Sequence, residues 1–202
     1  MNNIDQIYAN SGDDVTGFAK GYLKYLAQLL EKLDCNEIAA FVSSIMSARE
    51  RGARVFFIGN GGSAATASHF ANDLSIGSRC WERPYRVSAL TDNQAIITAI
   101  ANDYGYEEIF VLQLKTMATS GDVLVAISAS GNSSNLIKAV NFANKQDITT
   151  ISLTGFDGGT LRPLCDLGVH IETPKGEYGP VEDIHMVLDH LCGAFLLKGS
   201  AG

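Results

Sequence analysis

Val55-Phe56-Phe57-Ile58 runs without a break into Gly59-Asn60-Gly61-Gly62, and that turn opens into the Ala-rich segment 63–73. Four apolar residues of strand type, a glycine turn and a run of good helix formers predict strand, tight loop and helix in succession. The same design recurs. Val123-Leu124-Val125-Ala126-Ile127 is a continuous apolar run, as in a strand buried on both faces. It opens into Ser128-Ala129-Ser130-Gly131-Asn132-Ser133-Ser134-Asn135, with Leu136, Ile137, Ala139, Val140 and Ala143 following at helical intervals. A third unit has its strand at 148–153 and its turn at 154–159, with a short helical segment reaching Leu164; a last strand covers 167–171. Between the first two units, a short strand at 86–90 leads to helices at 95–101 and 107–118, separated by Asn102-Asp103-Tyr104-Gly105. Strands alternating with helices through short loops predict a mainly parallel sheet with helices on both faces and right-handed crossovers. Ligands of such sheets sit at the carboxyl ends of the strands, where both glycine-bearing loops must lie.

Two helices are expected ahead of the first strand. One covers 15–33, with Val15, Phe18, Tyr22, Leu26, Leu29, Leu30 and Leu33 on one apolar stripe, and the other covers 36–51. This hairpin packs either on the chain's own core or on a partner subunit. At the other end, Pro180 suits the first turn of a final helix, with Glu182 and Asp183 complementing its dipole. A length of 202 residues suits one domain, with N-terminal helices at 1–52 and an α/β core with its C-terminal helix at 53–198. Residues 198–202 are left out of this fold reading.

A net charge of −7 without basic runs argues against nucleic acid or an anionic membrane as partner. Any phosphate must therefore be held by local donors. The polar, acidic first fourteen residues carry no leader-like apolar core, and no apolar run reaches membrane-spanning length, so a soluble cytoplasmic protein is expected. Cys35, Cys80, Cys165 and Cys192 form no CxxC pair and are expected to be reduced packing residues.

A helix that starts at a glycine loop presents free N–H groups and the positive end of its dipole, which favours an anion. Gly59-Asn60-Gly61-Gly62-Ser63-Ala64 also satisfies the relaxed dinucleotide pattern Gly-x-Gly-x-x-Ala. No acid sits cleanly at the end of the second strand, however, and a second Ser-rich loop points to the same edge. Two hydroxyl-rich loops without Lys or Arg suit a phosphate monoester held by neutral donors, with Ser128, Ser130 and Ser133 as candidates; helix capping is the competing role for these serines. His69 and Asp73, four residues apart, share one helix face within reach of a common metal or substrate. Glu182 and His190 share the last helix, and with the first pair they form a His/carboxylate set suited to zinc or another divalent ion. Eight residues put Glu182 and His190 roughly 12 Å apart along that helix and about 80° apart around it. Both reach one ion only on a bent first turn or from different subunits, which makes His185 the rival ligand.

Gly59-Asn60-Gly61-Gly62-Ser63, Asn102-Asp103-Tyr104-Gly105, Ile127-Ser128-Ala129-Ser130-Gly131-Asn132-Ser133 and Glu182-Asp183-Ile184-His185 with His190 resemble, in order, the motifs of the sugar isomerase (SIS) domain family and of its phosphoheptose isomerase branch. The resemblance implies a flavodoxin-like three-layer α/β sandwich and a homotetramer with sites at subunit interfaces. It also implies a zinc-assisted conversion of sedoheptulose 7-phosphate to an aldoheptose 7-phosphate through an enediol. It assigns substrate contacts to Asn60, Gly61, Gly62, Ser63, Asn102, Asp103, Ser128, Ala129, Ser130, Ser133 and Glu182, and metal ligands to His69, Asp73, Glu182 and His190. Asp73 or Glu182 would act as base and His190 as acid. Asp73 stands where the branch has Glu, Glu182 where it has Gln, and Ala129 where it has Thr. The competing functions are a non-catalytic phosphosugar-binding sensor or scaffold and an isomerase of a different sugar phosphate.

Overall fold

A computed structural model of the chain describes residues 2–199. Met1 and the last three residues of the 198–202 segment lie outside the described residues. Five parallel strands form one sheet: β1 (Arg54–Gly59), β2 (Arg86–Ala89), β3 (Val123–Ser128), β4 (Thr149–Phe156) and β5 (Leu167–Glu172), in the order β2-β1-β3-β4-β5. This is the flavodoxin-like order. The strand period of two divides the apolar residues between two cores. On one face Val55, Phe57, Val125 and Leu153 pack under α3 (Cys35–Arg51), α4 (Gly62–Asn72) and α9 (Tyr178–Gly199), which contribute Phe41, Phe70 and Leu188. On the other face Phe56, Ile58, Leu124 and Ala126 pack against α5 (Gln94–Asp103), α6 (Val111–Met117), α7 (Ser134–Asn144) and α8 (Leu161–Leu164). A 3-10 turn at Tyr106–Glu108 precedes α6, so the expected helix over 107–118 is divided in two.

Three helices, not two, precede β1: α1 (Asn3–Ser11), α2 (Val15–Glu31) and α3. The extra helix has a short apolar side, Ile4, Ile7 and Tyr8, with Ile7 over Gly21 and Tyr8 edge-on to Phe18 of α2. It is started by a capping box between Asn2 and Asp5 and anchored by the Asn3 amide, which donates to Glu177 at 2.5 Å. Tyr25 of α2 donates to the other oxygen of the same buried carboxylate, and Tyr22 donates to Asp183 at 2.6 Å. Leu29 completes the attachment in a small core with Ala129, Phe156, Val181 and Ile184, so α2 packs in part on its own domain. Val15 and Leu23 of the same helix stay exposed. The four cysteines form no disulfide, and no helix among the described residues is long and apolar enough to cross a membrane.

Candidate functional site at the β1/β3 switch point

Gly59 at the end of β1 pairs with Ile127 near the end of β3, so the two loops leave adjacent strands at one level. The chain after β1 crosses to one face of the sheet through α4, and the chain after β3 crosses to the other through α7. The crevice opened between them is the switch point where parallel sheets of this order bind ligands. No side chain caps the N-terminus of α4, whose first N–H groups face this edge. Asn60 and the buried Asn135 exchange two amide hydrogen bonds of 2.9 Å, and Tyr106 donates to Asn60 at 3.0 Å. These contacts tie the two loops together.

The Ser128 and Ser130 hydroxyls accept from the Gly131 and Asn132 amides, at 3.1 and 3.3 Å, which leaves their own protons to donate. Ser133 occupies the N-cap of α7, yet its side chain makes no capping bond. Ala129 is buried between these serines. The loop is braced from the start of α8, since Leu161 N–H donates to the Gly131 carbonyl at 2.9 Å and the Asn132 side-chain oxygen accepts from both the amide and hydroxyl of Thr160. Asn102 and Asp103 lie exposed at the end of α5, bonded to each other; Tyr106 makes the link to the loops.

A second cluster lies along the seam of α4 and α9, which run in parallel. Gly62 faces Glu182, His69 faces Asp189 and His190, and Asp73 faces Gly193. The glycine at position 62 makes the first contact possible, because a Cβ there would stand 2.3 Å from a Glu182 carboxylate oxygen. His69, Asp73, Asp189 and His190 each offer a ligand atom, all within 4.8 Å of one another. His69 Nε2 lies 3.7 Å from oxygens of both Asp73 and Asp189, and its ring meets that of His190 edge-on at 5.1 Å. Asp73 begins a π-helical turn, Asp73–Gly77, an irregularity frequent at functional sites.

Asp189 is fully buried, and neither of its carboxylate oxygens has a hydrogen-bond partner. Burial, and after it the neighbouring Asp73 carboxylate, pushes its pKa up to about 7, with His190 opposing. A buried carboxylate left this way is costly, and a cation beside it would satisfy both oxygens. The donor set of two imidazoles and two carboxylates therefore fits a divalent ion. Glu182 is not brought into this group. Its carboxyl is raised above its ordinary range by burial and by Asp183. His185, the rival ligand, lies fully buried in the core with its pKa pushed down to about 3 by burial, and it takes no part either.

Asp189 is absent from the residues singled out in the sequence. Its signal was an acid inside an apolar helix, next to a histidine already singled out. Asn135 and Tyr106 had no comparable signal. A cavity of about 1070 Å³ touches the serine loop through Ser130 and Asn132, and none of the metal-ligating group lines it. Its walls mix Lys32, Arg162 and Lys175 with Asp34, Glu37, Asp157 and Glu172, so the donor cluster marks the chemistry better than the volume does.

Sheet order, the paired loops and their position at the switch point define a flavodoxin-like α/β domain with its ligand crevice at the β1/β3 edge. A model of the SIS domain matches residues 20–155, and the chain belongs to the SIS domain family. More particularly, it is 40% identical over 163 residues to the phosphoheptose isomerase of Rhodospirillum rubrum, covering 79% of this chain and 85% of that one. It is 35% identical over 178 residues to a probable phosphoheptose isomerase of Thermoplasma acidophilum, covering 88% and 97% of the two chains. Among solved structures, the phosphoheptose isomerase of Neisseria gonorrhoeae superposes with a TM-score of 0.78 at 31% identity, covering 88% of this chain and 95% of that one. That of Francisella tularensis superposes with a TM-score of 0.81 at 28% identity, covering 92% and 97%.

Proposed function

We propose that this protein is a metal-dependent aldose–ketose isomerase of a sugar phosphate, converting sedoheptulose 7-phosphate to D-glycero-D-manno-heptose 7-phosphate. The observation that carries the reading is the pairing of a hydroxyl-rich loop at the β1/β3 switch point with a His/carboxylate cluster on the adjoining helix seam. The relatives' names point to the same substrate. The phosphate is held by the hydroxyls of Ser128, Ser130 and Ser133 and by amides of the two loops. Asn60, Gly61, Gly62, Ser63, Ala129, Asn102 and Asp103 line the remainder of the substrate's path. Glu182, against Gly62, faces the sugar from the start of α9. Binding energy gathered at the phosphate, away from the reacting carbons, orients C1 and C2 for reaction.

His69 and Asp73 would hold the ion within the group they form with Asp189 and His190, and a divalent ion there supplies Lewis-acid polarisation of the substrate carbonyl. We assign zinc to this place on the donor chemistry. The isomerisation needs a proton taken from C1 and one delivered to C2, with hydroxyl protons exchanged between O1 and O2, and no net loss of atoms. Asp73 takes the carbon proton and His190, exposed at the seam, supplies and recovers protons. Glu182 is the alternative base only if the substrate brings its reacting carbons toward the start of α9. A cytoplasmic homotetramer completes the proposal, and the exposed Val15 and Leu23 of α2 suit a subunit contact.

Replacing His190 by Gln tests the assignment. Turnover of sedoheptulose 7-phosphate, followed by NMR, is expected to vanish while the ligand's phosphorus resonance still shifts on binding. Retained turnover would remove His190 from the chemistry.

A further inference from the structure

At the opposite end of the sheet from the crevice, β1, β2 and β3 begin around a second cavity, of about 360 Å³. Its walls carry three guanidinium side chains: Arg51 at the end of α3, Arg54 at the start of β1 and Arg86 at the start of β2. Arg54 and Arg86 are paired in register on neighbouring parallel strands, so their side chains leave one face of the sheet about 4.8 Å apart. Like charges facing each other across adjacent strands are destabilising. Among the described residues no carboxylate lies within 4.0 Å of any of the three guanidiniums, and Glu50, next to Arg51 in the sequence, is taken by Arg83 at 2.6 Å. Asp122, the acid on the cavity wall, is buried and already satisfied. One of its oxygens accepts from the Arg54 amide at 2.8 Å, and the other from the Thr119 amide at 2.9 Å and hydroxyl at 3.2 Å.

The three guanidiniums bond to neutral acceptors. Arg51 donates to the Gly121 carbonyl at 3.3 Å and the Ser47 hydroxyl at 2.5 Å, Arg54 to the Met117 carbonyl at 2.8 Å, and Arg86 to the Gly52 carbonyl at 2.9 Å. Bonds of this kind are ordinary for arginine near helix ends, but capping explains neither the in-register pair nor the convergence of three charges on one cavity. Each guanidinium has five N–H donors, so most of them remain available. The cavity is also unobstructed, since a Cβ on Gly52 or Gly121 in its wall would meet nothing within 4 Å.

We infer that this cavity binds a compact polyanion of the diphosphate class, with Arg51, Arg54 and Arg86 as its charge partners and the exposed Ser120 hydroxyl as a further donor. Guanidinium forks match phosphoryl oxygens two at a time. One phosphoryl group carries at most about two negative charges near neutral pH, so three guanidiniums call for more than one. No aromatic ring lines the cavity, which leaves a nucleotide base nothing to stack on. The site lies roughly 16 Å from the crevice along β1, and its anion need not be related to the sugar phosphate bound there.

The test is calorimetric titration of the full-length protein with inorganic pyrophosphate in about 0.15 M chloride, where general charge effects are screened. The parent is expected to bind with a dissociation constant of about 1 mM or tighter. Arg51→Gln and Arg86→Gln are each expected to weaken binding about tenfold or more, the worth of a charged hydrogen bond. Lys24→Gln, which removes an exposed charge from α2, and Ser133→Ala, which alters the crevice, are expected to bind within about twofold of the parent. Absence of binding by the parent would overturn the inference, as would a Lys24→Gln loss as large as that of Arg86→Gln. A Ser133→Ala loss larger than that of either arginine variant would place the pyrophosphate in the crevice and overturn it too. Chelation of a metal by pyrophosphate is indifferent to Arg51 and Arg86, so it cannot imitate the expected pattern. If an arginine variant does not fold, parent crystals soaked in pyrophosphate decide. Phosphoryl oxygens within about 3 Å of the Arg54 and Arg86 guanidiniums uphold the inference, and pyrophosphate confined to the crevice, or none bound, refutes it.

Discussion

Gly131→Ala perturbs the serine loop at the point where it touches the next loop of the sheet edge. Gly131 has a φ of +63°, and a Cβ built on it would lie 2.0 Å from the Gly158 carbonyl oxygen. A left-handed conformation costs an alanine about 1–2 kcal/mol. The overlap is with backbone, so no side chain can swing away, and forced repacking of this kind adds about 1–3 kcal/mol. Moving the Gly158 segment also strains the 2.9 Å bond from Leu161 N–H to the Gly131 carbonyl, worth about 1 kcal/mol. The expected total is about 3–6 kcal/mol. Gly121→Ala is the matched control, because its φ of +86° imposes a comparable backbone penalty with nothing within 4 Å of the added carbon. Urea denaturation should place Gly131→Ala about 2–4 kcal/mol below Gly121→Ala. For a chain of this size that corresponds to roughly 4–16 °C in Tm. Equal stability of the two variants would refute the packed, backbone-to-backbone seat of the serine loop and, with it, the preorganised phosphate site.

Ser133→Ala should raise the KM for the sugar phosphate while leaving Tm within about 1 °C, because the Ser133 hydroxyl makes no capping bond to α7; a fall in Tm with unchanged KM would make the residue structural. Burial holds His185 at a pKa of about 3 in the folded protein, against 6.5 for an unperturbed histidine, with the nearby Thr154 backbone opposing part of the shift. Between those values the unfolded chain takes up a proton that the folded chain refuses. The His185 contribution is therefore fully present above about pH 6.5 and is lost as pH falls, by up to about 1.4 kcal/mol per pH unit. His185→Gln should flatten the pH dependence of unfolding free energy between about pH 6 and pH 4, and an unchanged slope would contradict the assignment.

The centre of the sheet was legible because β1 and β3 are short apolar runs that end in turns of small residues. β1 and β3 show this directly at Val55-Phe56-Phe57-Ile58 and Val123-Leu124-Val125-Ala126-Ile127. The pairing of His69 with Asp73 was legible because one helical turn joins them. Contacts between elements distant in the sequence were not. α1 stayed hidden because its apolar side is only Ile4, Ile7 and Tyr8, and much of its hold comes from a capping box and the distant Glu177 carboxylate. Asn135 and Tyr106 have meaning only once the loops after β1 and β3 lie side by side. Asp189 becomes a member of the metal-ligating group only when α4 and α9 pack in parallel with His69 opposite it, a register that no periodicity within α9 encodes. The same register separates Glu182 from the group, a separation that the eight-residue interval to His190 foreshadowed.

The most direct measurement is conversion of sedoheptulose 7-phosphate by purified protein, followed by NMR before chelation, after chelation and after addition of zinc. The expected result is an aldoheptose 7-phosphate product that disappears when the metal is removed and returns when zinc is restored. Substrate binding without conversion by the zinc-restored protein would contradict it.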